Sequence, residues 1–321
     1  MASAALQMSE CDDDAAWDGL VAASPQGTVF SSSGFLRSLG CRFRRYLIGA
    51  PGRPQALCAA IEDEAGERLL GHDYTPYLGL LFVAGAATPA RQRVAEEMRL
   101  SQFALEQLTA RYRTVAMALS WQYADVRPFL WHNYHESALG QFKATPRYTA
   151  VLDLDGIDAA TYPEQTRACR RQELRKGAAY AVREESDVEA FLAMYALTFA
   201  RQGIALAPAA LALVRRITTA ALEQGYGRLS SCSTEQGAAA MTLFLFDSRR
   251  AYYLFAANDP ALRNSGAATR LMFENIYDAK RRGLAEFDFV GVNSPQRGDF
   301  KLSFNPELKL YFDMRCERAA A

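Results

Sequence analysis

Lysine is rare in this chain, so each one is a chemical clue. The 321 residues hold 36 basic side chains, and only five are Lys, at 143, 176, 280, 301 and 309. Lys301 stands in Phe300-Lys-Leu-Ser-Phe304. Aromatic neighbours strip water from an ammonium and sharpen its field. They equally suit a Lys that snorkels along an apolar surface. Upstream, Asp288 lies between Phe287 and Phe289, so strand alternation puts it on the opposite face from both rings. There it could orient or deprotonate an attacking amine, or serve as the polar side of an amphipathic strand. Asn293 and Tyr253 are further candidates of that kind.

A second constellation is Ala251-Tyr-Tyr-Leu-Phe-Ala-Ala-Asn-Asp-Pro-Ala-Leu-Arg263-Asn-Ser-Gly266-Ala-Ala268. A strand ends, a loop turns, and a helix starts on small residues. The first N–H groups of a helix are unpaired and carry positive partial charge. With Gly266 and Ala267 the backbone can lie against a phosphate, and Arg263 adds charge. A plain glycine-containing helix start fits the same six residues. A third group is the basic stretch Arg167, Arg170, Arg171, Arg175, Lys176 and Arg183, broken by Glu173. Arg171 and Arg175 share a helix face and suit either an anionic acceptor or plain solvation.

The elements that must position these groups follow from periodicity. Helices are expected over 15–22, 28–39, 89–112, 162–179, 187–201, 209–224 and 266–282. Strands are expected over 44–48, 55–62, 78–83, 115–119, 148–154 and 286–290. The segments 227–233, 238–246 and 251–257 read as an antiparallel meander with turns at Gln236-Gly237 and 247–250. A strand over 308–314 closes the sheet of the second half. Each half thus runs strands, long helix, strand, with a boundary in 141–147.

Composition narrows the classes. Half the residues are apolar, enough for sizeable cores, and basic and acidic side chains are equal at 36 each. Zero net charge excludes the general basic field of a non-specific nucleic-acid binder. The apolar run 78–87 is too short to span a bilayer, and the start lacks a basic-then-apolar leader, so a cytoplasmic protein is expected. The six Cys are scattered, and His132-Asn-Tyr-His135 has no third ligand, so no metal is expected. Gly-x-Ser-x-Gly, Gly-x-Gly-x-x-Gly and P-loop patterns are absent.

The spacing Arg263-x-x-Gly266-x-Ala268 resembles the pyrophosphate loop of the GNAT N-acetyltransferase superfamily. More widely, Trp17…Ser24-Pro-Gln-Gly-Thr-Val-Phe30, Pro76-Tyr-Leu-Gly79, Asp125-Val-Arg-Pro-Phe129, Tyr148-Thr-Ala-Val-Leu-Asp153 and Phe287-Asp-Phe-Val-Gly291…Phe300-Lys-Leu-Ser-Phe304 resemble double-GNAT proteins related to FemAB-type aminoacyl transferases. The resemblance implies an α+β fold: two tandem GNAT-like domains, 1–146 and 147–321, each a mostly antiparallel sheet flanked by helices. It implies an N-acyltransferase that takes its group from acetyl-CoA or another acyl-CoA. Ala256, Arg263, Asn264, Ser265, Gly266, Ala267 and Ala268 would hold that donor. Lys301 would stabilise the tetrahedral oxyanion, with Asp288 beside it. Arg171, Arg175, Asn293 and Tyr253 would meet the acceptor, an amine of a small molecule or cell-envelope precursor. The first half lacks the Arg-x-x-Gly-x-Ala pattern: Gly79 and Gly85 are present, but Thr88-Pro89 stands at the helix start. One donor site per chain is therefore expected. Two other readings keep the fold: an aminoacyl-tRNA donor reached along a basic track, with the Arg263 loop blocked, or an inactive binding scaffold with a filled groove at Gly266. Nucleic acid enters only as that tRNA.

Overall fold

The computed structural model describes residues 5–83 and 89–318, so Gly85 and Thr88 lie outside the described residues. The chain divides into two compact units, one of Met1–Arg37, Cys41–Arg147 and Leu310–Ala321, the other of Ser38–Gly40 and Tyr148–Lys309.

The first unit contains β1 (Gln7–Glu10), α1 (Asp14–Ala23), α2 (Ser33–Ser38), β2 (Phe43–Ala50), β3 (Arg53–Glu62), β4 (Arg68–Leu70), β5 (Leu80–Phe82), α3 (Ala90–Arg111), β6 (Thr114–Ala118) and α4 (Arg127–Trp131). Its strands run in the order β1-β2-β3-β4-β6, with β5 on β3. All these pairings are antiparallel except β4 with β6. Helix α3 buries Leu100, Ala104, Leu105 and Leu108, a stripe at helical spacing, in a core with Tyr46, Tyr112 and Phe129. Under this core lies a charged group. The buried Glu62 carboxylate accepts from Tyr112 Oη at 2.7 Å, Arg42 Nε at 2.5 Å and Arg44 Nε at 2.9 Å.

The chain enters the second unit along β7 (Lys143–Asp153) and continues through α5 (Tyr162–Gln165), α6 (Ala168–Lys176), β8 (Ala181–Glu185), α7 (Val188–Ala200), α8 (Pro208–Glu223), β9 (Gly227–Thr234), β10 (Gly237–Phe246), β11 (Arg250–Asn258), α9 (Ala267–Arg281), β12 (Glu286–Asp288), α10 (Pro295–Leu302) and β13 (Glu307–Glu317). The strand order is β7-β12-β11-β10-β9-β8. The expected meander is β9-β10-β11. The parallel pair β11–β12 needs a crossover, which α9 supplies. Met272, Phe273, Ile276 and Ala279 of α9 pack on Phe244, Tyr253, Phe287, Phe289 and Phe304.

Several expected elements change. The helix read over 28–39 is a tight turn at Val29–Ser31 followed by α2. The helix read over 162–179 breaks into α5 and α6, because the Arg167 N–H goes to the Ser303 carbonyl at 3.0 Å instead of along the helix. Residues 295–302, to which the sequence reading assigns no element, form α10. Pro295 occupies its first turn, where no N–H is needed, and Gly298 packs so close that a Cβ would sit 2.6 Å from the Val292 carbonyl oxygen. Strand β8 was not expected. The final strand, expected to close the sheet of the second half, belongs from Leu310 on to the first unit, where Asp313–Glu317 pair with β6.

Candidate active site

The second unit's sheet opens at one place. β11 and β12 pair only over Arg250–Tyr252 with Glu286–Asp288; beyond that, β11 runs on to Asn258 against β10. A bulge leaves Leu254 out of the ladder, since Phe244 opposes Tyr253 and Leu243 opposes Phe255. A bulge re-aims the side chains around it. Here Tyr253 stacks on Phe244 at 5.4 Å, whereas Phe255 meets Tyr195 of α7 at 5.7 Å. Backbone groups beside such a split are fixed in place and can polarise a carbonyl inserted there.

Helix α9 begins beside the end of β11. Gly266 caps it in the left-handed region, φ 88°. Ser265 Oγ accepts from the Ala267 N–H at 3.2 Å. Arg263 and Asn264 are exposed, and Arg263 pairs with none of the described residues. Ala256 is half-buried on β11. The glycine has a reason of its own, independent of any phosphate. A Cβ at 266 would lie 2.3 Å from the Glu173 carbonyl oxygen and 3.0 Å from the Gly177 nitrogen, both in the last turn of α6 or its cap. Glu173 also accepts from the Thr269 hydroxyl, in the first turn of α9, and pairs with Arg170 at 2.8 Å. Arg170 donates to Thr269 Oγ1 at 2.9 Å and lies over the rings of Phe300 (4.9 Å) and Phe304 (6.0 Å). Lys176 Nζ donates to the Asn264 carbonyl at 2.9 Å.

Lys301 sits on α10 above the Tyr253 ring, with Nζ 5.4 Å from its centroid. Nζ donates to the Val290 and Gly291 carbonyls at 2.5 and 2.9 Å. Burial pushes its pKa down to about 8; Asp288 pulls upward and Arg297 downward. Burial also raises the Tyr253 phenol. Asp288 is fully buried, and its Oδ1 accepts from Thr149 Oγ1 at 2.6 Å and the Val290 N–H at 2.8 Å.

Residues 164–302 match the family model described as an acetyltransferase (GNAT) domain. The second unit carries a GNAT acyltransferase domain. The whole chain shares its fold with solved proteins at low identity. FemX is 13% identical with a TM-score of 0.67, covering 95% of this chain and 96% of that one. A tandem GNAT protein from the clavulanic acid biosynthesis pathway is 13% identical with a TM-score of 0.56, covering 99% of each chain. L-PGS from Bacillus licheniformis is 13% identical with a TM-score of 0.54, covering 95% of this chain and 92% of that one. No curated protein matches the sequence. The mixed α+β architecture and the double-GNAT resemblance read from the sequence hold at the level of fold.

Within the GNAT domain the other expected site residues fall in different places. Asn293 clamps β7: its Oδ1 accepts from the Tyr148 N–H at 2.8 Å and its Nδ2 donates to the Tyr148 carbonyl at 3.0 Å. Arg171 reaches the Thr166 carbonyl at 2.5 Å, whereas Arg175 is exposed. Lys301, Asp288 and Tyr253 come together, and Arg263 through Ala268 form the neighbouring helix start. In the first unit, His132 Nε2 lies 3.2 Å from Thr109 Oγ1 and its ring packs on Phe142. Among the described residues no group of three or more His, Cys, Asp or Glu could hold a metal, and no helix is long and apolar enough to cross a membrane. Sequence reading missed Thr149, which carries no local signal. It named Arg170 and Glu173 only as parts of the basic stretch, not as groups that hold the start of α9.

Proposed function

We propose that the GNAT domain transfers an acyl group from acyl-CoA to a primary amine. The observation that carries this reading is the split between β11 and β12, with the bulged Leu254 on one side and the α9 start just beyond. A thioester carbonyl inserted at the split would meet the backbone of β11, while the donor's phosphates would meet the first turn of α9, with Arg263, Asn264, Ser265, Gly266, Ala267 and Ala268 around them. Ala256 leaves room on the strand between. The amine attacks the carbonyl directly, so the gain comes from orientation and from stabilising the oxyanion. Lys301 and Asp288 border the reacting atoms, and Tyr253 forms the floor. Asn293, Arg171 and Arg175 belong to the acceptor side. The acceptor is an amine of a small molecule or envelope precursor, met in the cytoplasm. One donor binds per chain, because only the second half carries the Arg-x-x-Gly-x-Ala start.

One observation favours a second donor. Glu173 places a carboxylate at the first turn of α9, and α6 packs directly on Gly266. Negative charge at a helix N-terminus competes with a phosphate. An aminoacyl-tRNA presents its ester without a pyrophosphate at that place. Thiol release from acetyl-CoA with a panel of primary amines tests the first donor. Amide formation from aminoacyl-tRNA without any thiol release would replace it with the second.

A further inference from the structure

We propose that Lys301 works in the transfer as a neutral amine, taking the proton of the attacking amine and returning it to the leaving group. The inference rests on the acyl-transfer reading above and assigns Lys301 a different task from a fixed cation at the oxyanion.

The geometry around Nζ carries it. Two carbonyls accept from Nζ, those of Val290 and Gly291. No carboxylate of the described residues forms an ion pair with it. A charged ammonium has three N–H bonds to place, a neutral amine two. The two carbonyls therefore satisfy the neutral form completely and leave its lone pair as the open direction. The charged form would keep one N–H with the Tyr253 ring beside it and no oxygen or nitrogen acceptor among the described residues, in a largely desolvated place, which costs free energy.

The carbonyl pair is built in, and does not depend on a loose loop. Val290 (φ 50°) and Gly291 (φ 65°) are consecutive left-handed residues. A β-branched side chain rarely adopts that conformation. It persists where the surroundings over-determine it. The Val290 N–H is taken by Asp288 Oδ1, and the Gly291 N–H by Thr149 Oγ1 at 3.2 Å, whose own hydroxyl proton goes to Asp288. The Val292 N–H goes to the Tyr148 carbonyl. With every N–H of the turn occupied on one side, its two carbonyls converge on Lys301.

The charged and titratable groups facing Nζ pull in both directions. Asp288 on β12 and the Tyr253 ring on β11 favour the ammonium; Arg297 on α10 and burial favour the amine. Burial outweighs the Asp288 charge and leaves Lys301 lowered to about 8, so that roughly a tenth of it is free amine at pH 7 and about half at pH 8, within reach of a general base. In the step, an N–H bond of the acceptor breaks as an Nζ–H bond forms. The acceptor nitrogen bonds to the acyl carbon, and the C–S bond of the thioester breaks. The thiolate then takes the proton from Nζ. Protons and electrons balance, and Lys301 ends neutral.

Only five lysines make the test simple. The full chain is grown with lysine labelled with carbon-13 at Cε, and the five signals are followed from pH 6 to 11. The Lys301 signal is the one lost in Lys301→Arg, with Lys301→Gln as a second assignment should arginine not fit. The expected result is a midpoint near 8 for Lys301, against about 10.4 for exposed lysines. A Lys301 midpoint grouped with the others overturns the proposal and restores the fixed cation. A second arm compares turnover of acetyl-CoA with a primary amine. Arginine keeps the charge but cannot act as a base, so Lys301→Arg is expected to lose roughly 100-fold or more. Retention within about tenfold overturns the proposal. A chain that binds no acetyl-CoA removes the donor reading and leaves the titration standing, so the two failures are distinguishable.

Discussion

Replacing Gly266 with alanine separates two reasons for a glycine at the start of α9. Its φ of 88° lies in the left-handed region, which costs an L-residue with a side chain about 1–2 kcal/mol. The new Cβ would also meet the Glu173 carbonyl oxygen at 2.3 Å, so α6 must shift. Overpacking of that kind adds about 1–3 kcal/mol. Gly283, just beyond the other end of the same helix, is the internal control. Its φ is 76° and nothing lies within 4 Å of its Cβ position. Gly283→Ala should therefore cost only the backbone term, and Gly266→Ala roughly 1–3 kcal/mol more. In thermal unfolding followed by circular dichroism, that difference is worth about 2–4 °C per kcal/mol for a unit of this size. Equal losses at the two positions would show that α6 does not bear on Gly266. The result also decides how to probe the donor. If the packing holds, Gly266→Val disturbs α6 whatever binds there, and loss of coenzyme A binding in it says nothing about phosphate.

Arg263 is the cleaner probe, because it is exposed and pairs with none of the described residues: Arg263→Glu should weaken acetyl-CoA binding at least tenfold, about 1.4 kcal/mol, with an unchanged melting temperature, and unchanged affinity would remove Arg263 from the donor site. Thr149→Val leaves the Gly291 N–H without its acceptor and Asp288 short of a donor, a loss of about 1–3 kcal/mol for each buried group left unpaired; denaturant midpoints should fall accordingly, with Thr149→Ser close to the parent, and a neutral Thr149→Val would show that the turn does not depend on that hydroxyl. In the first unit, burial pushes the Glu62 carboxyl up, but hydrogen bonds from Tyr112 and Arg42 and the charges of Arg44 and Arg42 outweigh it, leaving its pKa lowered. A carboxylate lowered on folding contributes stability above its unfolded value, about 4.3, and loses it as pH falls through the folded one. Unfolding midpoints should drop on acidification below about pH 4.5, and less steeply in Glu62→Gln; parallel pH profiles would refute the assignment.

The parts of the site that depend on local sequence were legible. The strand–loop–helix from Ala251 to Ala268 could be read because a meander, a turn and a glycine-led helix each leave their own pattern. Lys301 stood out because lysine is rare in a chain that otherwise uses arginine. What could not be read depends on tertiary contact. The carbonyls that hold Lys301 belong to a Val-Gly turn, and no sequence pattern announces a valine in the left-handed region. Helix α10 hid behind Pro295 and Gly298, which ordinarily mark loops; here one sits where no N–H is needed and the other where no Cβ fits. The break between α5 and α6 comes from a hydrogen bond to Ser303, far along the chain. Asp288 was expected on the opposite face of its strand from the two phenylalanines, and all three are buried. Alternation could not show that a threonine on β7 and the turn at Val290 would enclose it.

The central claim is that the GNAT domain holds one acyl-CoA against β11 and the start of α9. Calorimetric titration of the full chain with acetyl-CoA, repeated with Arg263→Glu, tests it most directly. The account predicts one molecule bound per chain, with the affinity lost or sharply reduced in the variant. Two molecules per chain, or one whose affinity ignores Arg263, would contradict the placement. No binding in a folded, active chain would contradict the donor itself.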